Sequence, residues 1–323
     1  MARGSDNERA RTTRRDFIRN SAAAMAGTGL AIGLGGEAGI CGEADPGRLR
    51  VGAAAVELEA DDSMVIAGGI HSRYVTGQEG KLRAVAVVLQ RPESAKVAIV
   101  ACDVLMMTRD QLDPVVAEIE ASCGIPASNV LINCTHTHHA PSTCRVHGYD
   151  RDAIFSQRVQ RAIVKAVTEA AGNVADATFH FQLGEEKTVG MNSRLLMSDG
   201  SIHWIGPYTD AVRPTGPMDP DLPVLAFRDP AGAMRALLFN HSTHTIGAVS
   251  GNVRSPAFYG LAAQELEREH GGIVGFLEGA AGSTHRLEVE PAEAMKRIKQ
   301  AVLDALALSQ PLTVHRLASI KRP

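Results

Sequence analysis

Aromatic residues make up only 4% of this 323-residue chain, and cysteines number five. Neither is scarce by accident of length, and each scarcity narrows the choices. The cysteines, Cys41, Cys102, Cys123, Cys134 and Cys144, match no zinc-ribbon spacing, and no disulfide framework follows from them. Charge of one sign is also lacking: the formal net charge is -3, which gives nucleic acid no electrostatic reason to bind. No apolar run is long enough for a stable membrane span of ~20 residues. A dinucleotide fingerprint, a phosphate loop and a Gly-x-Ser-x-Gly elbow are all missing, which argues against the common nucleotide-binding and serine-esterase designs. What remains, 45% hydrophobic and 21% charged residues, is the composition of a globular domain.

The first forty or so residues read as a targeting segment and not as part of the fold. Thr13-Arg14-Arg15-Asp16-Phe17-Ile18-Arg19 resembles the twin-arginine export motif, and a mild Ala/Gly run from Ala22 to Leu34 follows it. Small residues offer cleavage sites after Ala38 or Ala44. Cys41 could suggest a lipoprotein signal, but Ile40 before it fits poorly. The expectation is a signal peptide over residues 1–44, a partner in the twin-arginine export machinery, a periplasmic or secreted product, and one domain over residues 45–323.

Within that domain, apolar runs and helical periodicity alternate. Strands are predicted at Leu49–Leu58, Lys81–Leu89, Lys96–Cys102, Asn129–Asn133, Thr178–Gly184, Pro223–Arg228, Ala233–Asn240 and Gly272–Leu277. The second and third join through a turn at Pro92–Ser94. Helices are predicted at Thr108–Ser122, Asp152–Ala171, Ala257–His270 and Glu290–Leu308; Leu112, Val115, Val116 and Ile119 give the first its apolar stripe, and Gly124 and Pro126 end it. The stretches Met191–Trp204 and Pro207–Pro220 are rich in Gly, Pro and Asp and read as long loops. The fold class is α/β, with mixed sheets flanked by helices.

Two histidine clusters stand at the ends of predicted strands: Cys134-Thr-His-Thr-His-His-Ala-Pro-Ser142 and Phe239-Asn-His-Ser-Thr-His-Thr-Ile-Gly247. Imidazole is the commonest protein ligand for zinc and similar metals, so two clusters at strand ends could converge on one ion. His136 and His138, at i and i+2 on extended backbone, point to the same side. His241 and His244, at i and i+3, suit one helical turn or a tight loop. The ordinary reading of each is a histidine satisfied by its neighbours, and His139 and His147 fall under it. Asp103, directly after a strand, either orients or binds a metal or else caps a turn. Gly279 to His285 also follows a strand. Its glycines allow close backbone approach, its N–H groups could hold an oxyanion, and Ser283 or Thr284 could be a nucleophile beside His285. Glu278 is a site acid or a strand-end charge.

At these residues the chain resembles the N-terminal catalytic region of the neutral/alkaline non-lysosomal ceramidases. Ala101-Cys102-Asp103, then Thr135-His136-Thr137-His138, then the strand ending at His241-Ser242-Thr243-His244, then Gly282-Ser283-Thr284-His285 follow the family's order of motifs. The resemblance implies a layered α/β/β/α sandwich and a zinc-dependent amidase acting on an N-acylated, lipid-like small molecule. It implies that His136 and His241 bind zinc and that His138 lines the active site. The family's nucleophilic serine aligns with His285, with Ser283 two residues away, so water becomes an alternative nucleophile. The family's remaining ligands, a Glu and a Tyr, fall beyond Pro323. That implies a shortened or incomplete member, or a site finished by Asp103, His244 or Glu278. The rival expectations are a non-catalytic relative that binds a ligand and a metal-dependent esterase.

Overall fold

The computed structural model describes residues 48–321, apart from 93, 207 and 287. The expected signal segment, residues 1–44, lies outside these, as does residue 93 in the turn expected at Pro92–Ser94. In chain order the strands are β1 (Arg50–Glu57), β2 (Arg83–Gln90), β3 (Val97–Cys102), β4 (Val130–Cys134), β5 (Ala175–Asp176), β6 (Thr178–Glu185), β7 (Gly190–Asn192), β8 (Leu195–Met197), β9 (Ile202–His203), β10 (Ala211–Pro214), β11 (Asp221–Arg228), β12 (Met234–His241), β13 (Ile273–Glu278), β14 (Thr284–Arg286) and β15 (Gln310–Leu312). The helices are α1 (Arg109–Cys123), α2 (Ala153–Gly172), α3 (Ala257–His270) and α4 (Pro291–Leu308).

Two five-stranded mixed sheets carry the fold, in the orders β4-β3-β2-β1-β5 and β13-β12-β11-β6-β15. Their inner faces meet through Val51, Val87, Phe227, Ala236 and Leu238. The outer face of the first sheet is covered by α1 and α2, through Val115, Ile119, Phe155, Val159 and Ile163. The outer face of the second is covered by α3 and α4, through Phe258, Tyr259, Leu266, Ile298 and Val302. These layers are helix, sheet, sheet, helix, the arrangement implied by the resemblance; the alternation of apolar runs and amphipathic helices indicates mixed sheets flanked by helices. The period-2 rule operates visibly in β12, where Leu237 and Phe239 face the helices and Ala236 and Leu238 face the other sheet.

Most pairs in the sheets are antiparallel, but β3 with β4 and β12 with β13 run parallel. Each parallel pair is joined through a helix, α1 or α3, because a parallel connection must return the full length of the strand. Both pairs end at the same functional motifs: β3 before Asp103, β4 before His136, β12 at His241, and β13 at Glu278. Ligand sites in α/β proteins favour the carboxyl ends of such strands. The stretch expected to be loop between Met191 and Pro220 holds a small sheet, β10-β8-β9, and β7 pairs with β14. Its strands are two to four residues long and broken by Ser198-Asp199-Gly200-Ser201, so no periodicity could develop.

Sheet separation is set locally by Gly275 in β13. A Cβ there would stand 2.9 Å from Leu238 Cδ2 and 3.1 Å from Val85 Cγ1. Gly275→Val should therefore overpack the inter-sheet layer and lower stability by about 1–3 kcal/mol. Urea unfolding measures this; an unchanged midpoint would show that the layer is not close-packed there.

Candidate metal centre

The site is assembled by the chain leaving β4 and β12. The β3–β4 ladder ends at Cys102 opposite Cys134, and Thr135 N–H still donates to Cys102 O at 2.9 Å. His136 then turns into the left-handed region, φ 61°, a costly conformation for a residue with a side chain. Two bonds hold it there: its N–H to Val104 O (3.1 Å) and its Nδ1–H to Leu105 O (2.9 Å). His138 N–H donates to Thr245 O at 3.2 Å, which ties the first cluster to the second. His244 N–H donates to Thr284 O at 2.8 Å, which ties the second cluster to the start of β14.

Three rings meet as a result. His136, His138 and His244 offer ligand nitrogens that all lie within 4.8 Å of one another. Ring centroids are 4.5 Å apart for His136 and His244, 5.0 Å for His136 and His138, and 4.9 Å for His138 and His244. Each Nδ1 faces a backbone carbonyl: Leu105 O for His136 (2.9 Å), Gly68 O for His138 (3.1 Å) and Ala281 O for His244 (3.1 Å). A carbonyl can only accept, so each Nδ1 carries the proton and each Nε2 is left with a lone pair. The Nε2 atoms of His136 and His244 face each other at 3.1 Å. His138 Nε2 is buried with no hydrogen-bond partner among the described residues.

Lone pairs so arranged repel unless something positive lies between them. A tetrahedral ion with bonds of ~2.0–2.1 Å would hold its ligand nitrogens roughly 3.3 Å apart, close to the separation of His136 and His244. Carbonyl partners on Nδ1 are also the usual support of metal-binding histidines. Burial depresses all three pKa values, that of His138 to about 3 with the help of His136 and His244, so the rings are neutral as ligation requires. The donor set fits a zinc-like ion. Gly68, at φ +86°, is what admits the ring of His138: a Cβ there would lie 2.3 Å from His138 Nδ1.

Three other expected site residues, His241, Asp103 and Ser283, lie elsewhere. His241 is wholly buried on the helix-covered face of β12, beside Phe239 in the alternation. Its Nε2–H donates to Glu186 O (2.9 Å), and its Nδ1 accepts from the Tyr259 hydroxyl (2.5 Å). Both nitrogens are occupied, so the structure does not bring His241 into the group. Asp103 is buried, accepting from Arg83 N–H (2.9 Å) and the Thr135 hydroxyl (3.1 Å), and thereby laces β2 to the exit of β4. Burial outweighs the nearby Arg83 guanidinium and raises its pKa to about 6. Ser283 is exposed on its turn. The N–H groups of Gly279, Ala280 and Ala281 donate to His241 O, Ser242 Oγ and Gly279 O, so they are not offered to an oxyanion.

His285 does reach the centre. Its ring stacks on His244, with centroids 4.3 Å apart and planes 13° apart, and its Nδ1 lies 2.8 Å from Ser193 Oγ. Ser193 and Gly68 carried no signal in the sequence, because each acts through a contact between distant segments. A cavity of about 350 Å³ opens beside His136 and His244, walled by Leu105, Met106, Cys134, Glu278 and Gly279 among others. Larger clefts, of about 660 and 490 Å³, lie under the 315–319 segment and beside α4. Neither contains a group of three metal-ligating side chains among the described residues. Glu278 shares the wall of the smaller cavity. Its Oε2 accepts from the Thr245 hydroxyl (2.8 Å), its Oε1 is buried with no partner among the described residues, and burial raises its pKa well above the ordinary carboxylate value.

The raised pKa of Asp103 has a signed consequence for stability. The folded state favours the protonated acid, so its contribution is complete below the unfolded value near 4 and is lost as pH rises to about 6. Asp103→Asn should gain on the parent across that window, by up to about 2–3 kcal/mol. Urea unfolding at pH 4 and pH 7 reads the difference, and an equal effect at both would contradict the assignment.

No family model matches this chain, and no curated protein matches it. Solved structures do. A ceramidase complexed with C2 superposes with a TM-score of 0.68 at 19% identity, over 81% of this chain and 44% of that chain. Neutral ceramidase from Pseudomonas aeruginosa gives a TM-score of 0.67 at 19% identity, over 81% of this chain and 45% of that chain. This chain thus corresponds to less than half the length of either. At such identity the likeness concerns architecture, and the chain has the neutral-ceramidase fold over most of its length.

Proposed function

We propose that this protein is a metal-dependent hydrolase of the neutral ceramidase type, cleaving the N-acyl bond of a lipid-like substrate. His136, His138 and His244 are its metal ligands, and zinc is the first candidate. The observation that carries the reading is the convergence of three Nε2 lone pairs, each fixed by a carbonyl on the opposite side of its ring. The fold likeness supports the reaction class.

When bound, the metal supplies Lewis-acid chemistry toward an amide carbonyl. The protein supplies the rest. Three neutral rings hold the ion without bringing charge of their own, so its positive charge is undiminished. Leu105 and Met106 give the cavity an apolar wall for an acyl chain, and Glu278, favoured in its protonated form, gives it an acid. Water is the proposed nucleophile, because His285 occupies the place the resemblance gives to serine and Ser283 is exposed. That replacement also favours the rival reading, a relative that binds acylated ligands without turnover.

Metal analysis of the purified chain and its alanine variants tests the proposal. The parent should hold about one zinc per chain, as a single-ion centre requires. His136→Ala, His138→Ala and His244→Ala should each lose most of it while staying folded. His241→Ala should keep the metal and lose about 1–3 kcal/mol of stability, since it strands the Tyr259 hydroxyl and Glu186 carbonyl. Hydrolysis of N-acyl amides that stops with a chelator would complete the case. Metal retained in all three variants would refute the ligand set. Turnover of acyl esters alone would point to an esterase, and a loaded chain inert toward both would favour the binding protein.

A further inference from the structure

We propose that His285 is a positioning residue of the metal centre, its ring clamped by Ser193 against His244 so that His244 Nε2 stays aimed at His136. The inference rests on the three-histidine reading and concerns how one of those ligands is held.

An imidazole on a loop has a soft torsion about its Cβ–Cγ bond. For His244, the Nδ1–H bond to Ala281 O fixes one point of the ring but leaves it free to tilt about that bond. The stack with His285 removes the tilt. The two planes are 13° apart at 4.3 Å, whereas His136 and His138 meet His244 at 84° and 58°. One flat face of His244 is therefore covered by His285, and its Nε2 edge points at His136.

His285 is itself held from behind. It lies in β14, paired with β7 in the register His285 to Met191. Ser193, just past β7, is wholly buried. Its Oγ is 2.8 Å from His285 Nδ1, and its N–H donates to Ser283 O at 2.8 Å. The Arg194 guanidinium donates to the same Oγ at 3.0 Å. The His244 N–H bond to Thr284 O completes the attachment. The segment from Ala281 to His285 thus grips His244 three times: at its backbone, at Nδ1 and across its ring face. In this chain a segment that the resemblance gives to a nucleophile holds a ligand.

Support groups behind metal ligands typically change metal affinity by about 10–100-fold when removed. The test uses cobalt(II) and zinc, titrated against a competing chelator on the full chain. The parent is compared with His285→Ala, His285→Phe and Ser193→Ala, with circular dichroism reporting the fold. His285→Ala should weaken both metals about 10–100-fold and alter the visible cobalt spectrum, because the ligand field at His244 changes. His285→Phe keeps a flat ring and should recover most of the affinity and the parent spectrum. Ser193→Ala should weaken binding by a smaller factor, which keeps the test alive if His285→Ala does not fold. A folded His285→Ala that binds within about twofold of the parent, with an unchanged spectrum, would overturn the clamp and leave the three-histidine site standing. So would a His285→Phe no better than His285→Ala. A parent that binds neither metal would sink the clamp and the site together.

Discussion

Three backbone carbonyls determine what this centre can be. Leu105, Gly68 and Ala281 each accept the Nδ1–H of one histidine, and each therefore turns that ring's remaining lone pair toward a common point. Nothing on the side chains alone would choose that tautomer. The carbonyls come from three separate loops, so the tautomer pattern is a property of the tertiary fold. Once it is imposed, the Nε2 atoms of His136 and His244 face each other 3.1 Å apart with their lone pairs opposed, and a cation between them relieves the opposition.

The fold provides the loops in the right place by a simple device. Two parallel strand pairs, one in each sheet, stop at the same end of the molecule, and the chain leaving them carries the histidines. Close contact between the sheets, permitted by Gly275 against Val85 and Ala101, brings those exits within reach. Local strain at His136, in the left-handed region, is tolerated because its backbone and ring are both bonded. Asp103 does its part without touching a ligand, lacing β2 to Thr135 immediately before His136.

Much of this was legible in the residues. The eight longer strands and four helices were readable because each carries an apolar run or stripe, and such a pattern is a local property of sequence. The small sheet between Leu195 and Pro214 was not, because strands of two to four residues draw their stability from partners and not from their own pattern. The histidine clusters marked the site, but spacing did not say which member of the second one reaches it. The alternation of β12 held part of the answer: His241 falls in step with Leu237 and Phe239, which face α3 and α4, so it is drawn into the helix-covered layer. His244 lies beyond the end of β12, where that alternation stops, and its N–H is captured by Thr284, a contact between segments forty residues apart. The roles of Ser193 and Gly68 were invisible for the same reason.

The most direct test is to locate the ion. Crystals of the zinc-loaded full chain, measured on both sides of the zinc absorption edge, give an anomalous difference map independent of any variant or substrate. The account predicts one strong peak about 2.0–2.1 Å from the Nε2 atoms of His136, His138 and His244. A peak beside His241 or Asp103, or an ion bound through Nδ1 of any of the three, would contradict it.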